Sequence, residues 1–183
     1  RSLARSVRRQ VLPGSGHARA LINVALKRGA TQSSTLDDTG IYRVKRGTDG
    51  RSRGTKCFAT KSEFEPRWMV RLRTNWPIFM IRIHGCAGRE SMPAIPLTVS
   101  ISAHRRKWDV VYSGEHVFHN GESPVPLEIP LLSRKGGRFV RVTRQGIGVL
   151  SLCQIEVIVE HQALDLRATC RRYGFKFPRM AGK

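Results

Sequence analysis

The sequence predicts an all-β domain, an antiparallel β-sandwich of the jelly-roll kind. Three observations point there. Short apolar runs alternate with period two. Each run is closed by Pro, Gly, Asn or a small polar residue at fairly regular spacing. Helical spacing is confined to the C-terminal tail, ALDLRATCRRYGF, where Leu164 and Ala168 precede a stop at Gly174 and predict a short helix.

Taken in order, the runs are WMVRL (Trp68–Leu72), PIFMIRI (Pro77–Ile83), LTVSIS (Leu97–Ser102) and WDVVY (Trp108–Tyr112). They continue with PLEIPLL (Pro126–Leu132), RFVRVT (Arg138–Thr143) and LSLCQIEVIV (Leu150–Val159). The last run is expected to put Cys153, Ile155, Val157 and Val159 on one face and Leu152, Gln154 and Glu156 on the other. Residues 1–20 read as a basic N-terminal arm with a break at PGSG, residues 21–160 as the sandwich, and residues 161–183 as a basic helical tail. Thr35 to Thr55, rich in Gly, Asp, Thr and Arg, reads as loop, with a turn at Thr48–Gly50.

At 183 residues, the chain is long enough for one domain with a sizeable core. Its 40% apolar and 25% charged residues are ordinary for a globular protein. No run approaches the roughly 20 apolar residues that a transmembrane helix needs. RSLARSVRRQV is Arg-rich and acid-free without a continuous apolar stretch, which fits a transit-like segment or linker better than a secretory signal. The balance of 33 Lys and Arg against 13 Asp and Glu, formally +20, predicts attraction to polyanions. No RNA-binding or zinc-finger spacing accompanies it, so base-specific nucleic-acid readout is not expected.

The usual catalytic patterns are missing. No carboxylate pair is placed for glycosidic cleavage, and no G-x-S-x-G elbow or phosphate-cradling P-loop is present. His116 and His119 form a lone HxxH, a weak metal signal. Cys57, Cys86, Cys153 and Cys170 have no C-x-x-C spacing, which argues against structural zinc. Cys153 in its apolar row reads as a core residue or half of a disulfide rather than a nucleophile.

Several segments, in order, carry a family resemblance. KRGATQSST (Lys27–Thr35) resembles the "GKPATQSS" opening of the discoidin, or coagulation factor V/VIII type C, domain family. TDG resembles its "AVDG" turn, and CFATKSEFEPRWMVRL (Cys57–Leu72) its "CxHT…NPWWRVDL" segment. LTVSISAHRRKWDVVY resembles "L.VSVS.DG..W..V", RFVRV "RYVRI" and LSLCQIEV "LSLCEVEV". The likeness runs from about Asn23 to Ile158.

What the resemblance implies is a discoidin-like, galactose-binding-like jelly roll that is non-catalytic and binds ligands through loops at one end. It also implies, after the F-type lectins, a disulfide between Cys57 and Cys153, worth about 2–4 kcal/mol when oxidised. Reduced, buried thiols are the alternative. An oxidised pair would place the protein outside the cell or on its surface, and a reduced pair in the cytoplasm or an organelle. The lectin sugar contacts do not carry over. Ala59 stands at the His of "CxHT", and His84, Gly85 and Cys86 stand where an Arg-Gly-Asp would be. The expected rim, drawn from the loops around Thr39–Arg46, His84–Glu90 and Arg144–Val149, is Tyr42, His84, Arg89 and Arg144, an aromatic with basic neighbours suited to an acidic sugar or a phosphorylated headgroup. No cofactor is expected. The family's calcium loop is not recognisable, although Asp37, Asp38 and Asp49 offer oxygens. The expected function is a carbohydrate-binding module, with an anionic glycan as candidate ligand. The alternative is an interaction domain with a decayed sugar site that docks through its basic surface on an assembly, nucleic acid or anionic membrane.

Overall fold

A computed structural model describes residues 7–10, 19–37, 39–52, 56–86, 94–118 and 124–162. The strands are β1 (Val7–Gln10), β2 (Arg19–Asn23), β3 (Ala30–Gln32), β4 (Phe58–Ala59), β5 (Glu63–Phe64), β6 (Arg67–Pro77) and β7 (Met80–Gly85). They continue with β8 (Ile95–Ser102), β9 (Asp109–His116), β10 (Leu127–Pro130), β11 (Gly136–Arg144), β12 (Ile147–Gly148) and β13 (Ser151–Gln162). A 3-10 turn spans Val44–Thr48. The predicted C-terminal helix lies outside the described residues, as does most of the 1–20 arm, within which β1 pairs with β2.

One sheet, here sheet A, runs β1-β2-β13-β7-β10, with β4 also pairing β13. A second, sheet B, runs β3-β6-β11-β8-β9, and β5 pairs β12 in a two-stranded ribbon. Every pairing is antiparallel. The alternation that predicted the strands is what closes the sandwich. Along β6, Trp68, Val70, Leu72 and Trp76 turn inward while Arg67, Arg71 and Arg73 stay exposed. Ile81, Ile83, Ile155, Val157 and Val159 face them from sheet A in one continuous core.

Trp68 anchors that core, fully buried and stacked on Phe58 at 5.6 Å between ring centroids. Its indole N–H donates to the Val44 carbonyl at 3.2 Å, so the one polar atom of the ring is satisfied. Truncation to Ala would cost about 3–5 kcal/mol. Gly47 lets the 3-10 turn approach, since a Cβ there would lie 2.7 Å from the Trp68 ring.

Two details depart from the sequence reading. The first strand of the WMVRL region extends to Pro77, so Pro77–Phe79 turns the chain rather than opening the next strand. In β13, the simple two-face alternation fails. A register shift between Leu152 and Gln154 makes a bulge at Cys153, and Leu152, Cys153 and Gln154 are all buried. Gln154 stays buried because the loop after the 3-10 turn covers it, Gly50 N–H donating to its Oε1 at 3.1 Å.

Candidate functional site

The loop end of the sandwich is knitted by its own polar groups. Gln32 Nε2 donates to Thr35 Oγ1 at 2.9 Å and, more weakly, to the carbonyls of Tyr42 and Ala59 at 3.4 Å. The Ser33 hydroxyl donates to Glu63, as does Ser34 Oγ at 2.8 Å. Leu150 N–H donates to Thr60 Oγ1 at 3.0 Å.

Of the expected rim residues, Tyr42, His84 and Arg144 fall within the described residues and stand on different elements. Tyr42 sits half-buried in the loop before the 3-10 turn. Arg144 ends β11 and spends Nη1 on the Val149 carbonyl at 3.1 Å, lying so close over Gly148 that a Cβ there would collide with it. His84 belongs to β7, opposite Gln154 in sheet A. Arg89 and Asp38 lie outside the described residues. Asp37 and Asp49 each close a local turn. Asp37 Oδ1 accepts from Thr39 N–H at 3.1 Å and Thr39 Oγ1 at 2.6 Å, and Asp49 Oδ1 from Arg51 N–H at 2.8 Å.

The outer face of sheet A is charge-balanced. Arg82 bridges Glu128 at 2.6 Å and Glu156 at 3.1 Å, and His84 Nε2 stands 3.7 Å from Glu156. Arg134 pairs with Glu160. Burial alone pushes Glu156 up, but His84 and Arg82 together outweigh it and hold the carboxyl below its ordinary range.

The outer face of sheet B is different. Register aligns Thr31, Met69, Arg141 and Ser100 in one row across four strands. Along that row runs a groove of about 550 Å³ lined by Thr31, Gln32, Ser33, Arg67, Met69, Arg105, Trp108 and Arg141. Arg141 lies over the Trp108 ring, 4.1 Å from its centroid. Among the described residues, no carboxylate forms an ion pair with Arg67, Arg105 or Arg141. Burial and then repulsion from Arg67 lower the pKa of Arg141, against a smaller opposing pull from Glu65. Arg28, in the segment before β3, is lowered too, by burial and then by Arg73.

The turn that delivers Arg105 is built by Ser102. Its Oγ accepts from Arg105 N–H at 2.9 Å and donates to the Lys107 carbonyl at 2.5 Å. Arg105 itself is held left-handed, at φ +65°. Such a conformation costs a non-glycine residue about 1–2 kcal/mol. This groove escaped the sequence reading. Its signal, exposed arginines at positions 67, 71 and 73 of β6 and an aromatic beside RRK, reads locally as a solvated strand face.

A further cluster involves sulfur. Cys57 Sγ lies within bonding reach of both Cys86 and Cys153. Cα separations are 5.9 Å from Cys57 to Cys86 and 4.1 Å from Cys57 to Cys153. One sulfur forms one disulfide, so the expected Cys57–Cys153 pairing has a second geometric competitor.

The architecture defines a fold class: a jelly-roll sandwich of the fold that discoidin-type, galactose-binding-like modules have. No protein-family model matches the sequence, and no curated protein matches it. Solved structures do. A fucolectin from striped bass (Morone saxatilis) serum is 25% identical with a TM-score of 0.60, over 74% of this chain and 48% of that one. A fucose-binding module of Streptococcus pneumoniae is 23% identical, TM-score 0.58, over 74% and 96%. The family 32 carbohydrate-binding module of Clostridium perfringens NanJ, solved with galactose, is 14% identical, TM-score 0.62, over 76% and 99%. What these likenesses share with the chain is the fold.

Proposed function

We propose that this domain is a non-catalytic carbohydrate-binding module whose ligand is an anionic glycan, bound along the arginine groove of sheet B. The carbohydrate part rests on the fold, which recurs in modules solved with or named for a sugar. The anionic part rests on one observation: three arginines and a tryptophan line a single groove, and among the described residues no carboxylate is paired to those arginines. Guanidinium forks match carboxylate and sulfate oxygens bidentately. The Trp108 ring offers an apolar face beside them, and the exposed Thr31 offers a hydroxyl partner for sugar hydroxyls. Gln32 links the groove to the loop that carries Tyr42. Tyr42 and Arg144, with Arg89, remain the loop-end candidates for further contacts. His84 faces its own acid–base cluster on the opposite sheet.

A second reading has the same observation behind it. An arginine face can serve as a general polyanion dock, with the domain acting as an interaction module on nucleic acid, an anionic membrane or an assembly. The test is calorimetric titration of the purified chain with a sulfated or uronate-bearing oligosaccharide, its neutral counterpart, an oligonucleotide and anionic vesicles, each at low and high salt. Saturable binding of the acidic sugar that survives high salt and weakens about tenfold in Arg141→Ala supports the lectin-like reading. Binding to every polyanion that vanishes at high salt overturns it in favour of the dock.

A further inference from the structure

Cys57, Cys86 and Cys153 come from distant parts of the sequence, and sheet A brings them to one point. β4 pairs β13 with Phe58 opposite Leu152, which sets the preceding residue, Cys57, beside the following one, Cys153. β7 pairs the other edge of β13 with Gly85 opposite Leu152, and Cys86 comes next. The bulge inserts Cys153 as the extra residue at this crossing. A bulge re-aims the side chain it adds. As a result the three sulfurs all lie within 4.8 Å of one another. Cys57 and Cys153 are 0% and 1% exposed, with Cys86 half-buried at the open side.

We infer that these three residues form a three-thiolate centre for a soft, thiophilic d¹⁰ cation, Zn²⁺ or Cu⁺ by chemistry. A disulfide engages two sulfurs, whereas a cation engages all three together. The cluster is tighter than a loaded centre would be. With metal–sulfur bonds of about 2.3 Å, thiolates sit about 3.8 Å apart around a tetrahedral ion and about 4.0 Å apart around a trigonal one. Cys57 Sγ stands within bonding reach of both partners, so the cysteines must be reduced and their side chains turned apart before an ion is held. Thiolate-rich sites select soft cations over Mg²⁺ or Ca²⁺. The net charge of +20 lowers the cost of holding three thiolates. Cys86 is the half-buried member of the three, so solvent reaches the cluster on its side and water would supply a fourth ligand. The centre is independent of the glycan reading, since it lies in sheet A and shares no residue with the groove. It also explains how cysteines lacking C-x-x-C spacing can bind metal: the strand register, not the sequence, supplies the geometry.

The test is titration of the full chain, reduced and then kept anaerobic without reductant, with Cd²⁺, followed by thiolate-to-metal charge-transfer absorbance. We expect saturation at one Cd²⁺ per chain, displacement by Zn²⁺, and at least a tenfold weaker fit for Cys57→Ala, Cys86→Ala and Cys153→Ala but not Cys170→Ala. A signal that Cys86→Ala leaves unchanged would mean a two-thiol site and overturn the proposal. So would a Cys57 disulfide that resists reductant, or no saturable signal. Should a variant fail to fold by circular dichroism, alkylation mapping of the wild-type chain decides. One equivalent of Cd²⁺ must protect Cys57, Cys86 and Cys153 together, and protection of only two overturns the centre.

Discussion

The outer faces of the two sheets have similar backbones and opposite electrostatic designs. On sheet A, Arg82 has two carboxylates, Glu128 and Glu156, and Arg134 has Glu160. On sheet B, Arg67, Arg105 and Arg141 have no carboxylate ion pair among the described residues, and the nearest relief for Arg141 is the ring of Trp108. The excess charge of the chain is therefore not spread as a uniform solvated coat. One face spends its arginines on internal pairs that hold neighbouring strands in register. The other keeps mutually repelling guanidiniums beside an aromatic, an arrangement that an external anion would relieve. A face that carries charge at a cost to its own stability is the better candidate for binding.

The largest expected effect comes from reversing that asymmetry. The double substitution Arg67→Glu with Arg141→Glu places two carboxylates in the groove and should weaken binding of an acidic oligosaccharide about a hundredfold, roughly 2.7 kcal/mol. Isothermal titration calorimetry reads it, and unchanged affinity would remove the groove from consideration.

On the balanced face, the matching experiment is Glu156→Gln. It leaves Arg82 with Glu128 alone and His84 without its anionic neighbour, and should lower unfolding stability by about 1–3 kcal/mol in urea. The pH dependence gives the sign. Because the folded carboxyl of Glu156 is held below its ordinary value of 4.5, its contribution is fully present above that value. It is lost as the pH falls through the lower folded value. Wild-type stability should therefore drop more steeply than that of Glu156→Gln below about pH 4.5, and parallel curves would show that the cluster contributes nothing.

This contrast also marks what was legible in the sequence. The long strands were, because burial on one face writes itself as alternation: Trp68, Val70 and Leu72 against Arg67, Arg71 and Arg73. β4, β5 and β12, two residues each, were not, since two residues carry no period. The bulge at Cys153 was invisible for a related reason: it arises from pairing with two edges at once. The groove could not be read because its residues come from β3, β6, β11 and the turn before β9, and only register brings Thr31, Met69 and Arg141 into line. Tyr42, His84 and Arg144 were picked from loops by type. The fold then placed His84 on a sheet face and engaged Arg144 with its own loop, neither of which local chemistry specifies.

The smallest effects give the sharpest version of the comparison, because they set one arginine from each face side by side. Arg134→Ala removes an ion pair with Glu160 at a half-exposed site, and such pairs are worth up to about 1 kcal/mol at low salt. Its cost should fade as salt rises. Arg141→Ala removes an attraction to Trp108, worth about 0.5–1 kcal/mol at an exposed site. It also removes the repulsion from Arg67 and the burial of a charge, both of which oppose the folded state. The two contributions of Arg141 oppose each other, so thermal unfolding should shift by no more than about 0.5 kcal/mol, and salt should move it the other way from Arg134→Ala. Added salt screens the repulsion in the wild-type protein and so raises its stability relative to the variant. A loss at Arg141→Ala as large as that at Arg134→Ala, with the same salt dependence, would mean that the arginines of sheet B are structural like those of sheet A.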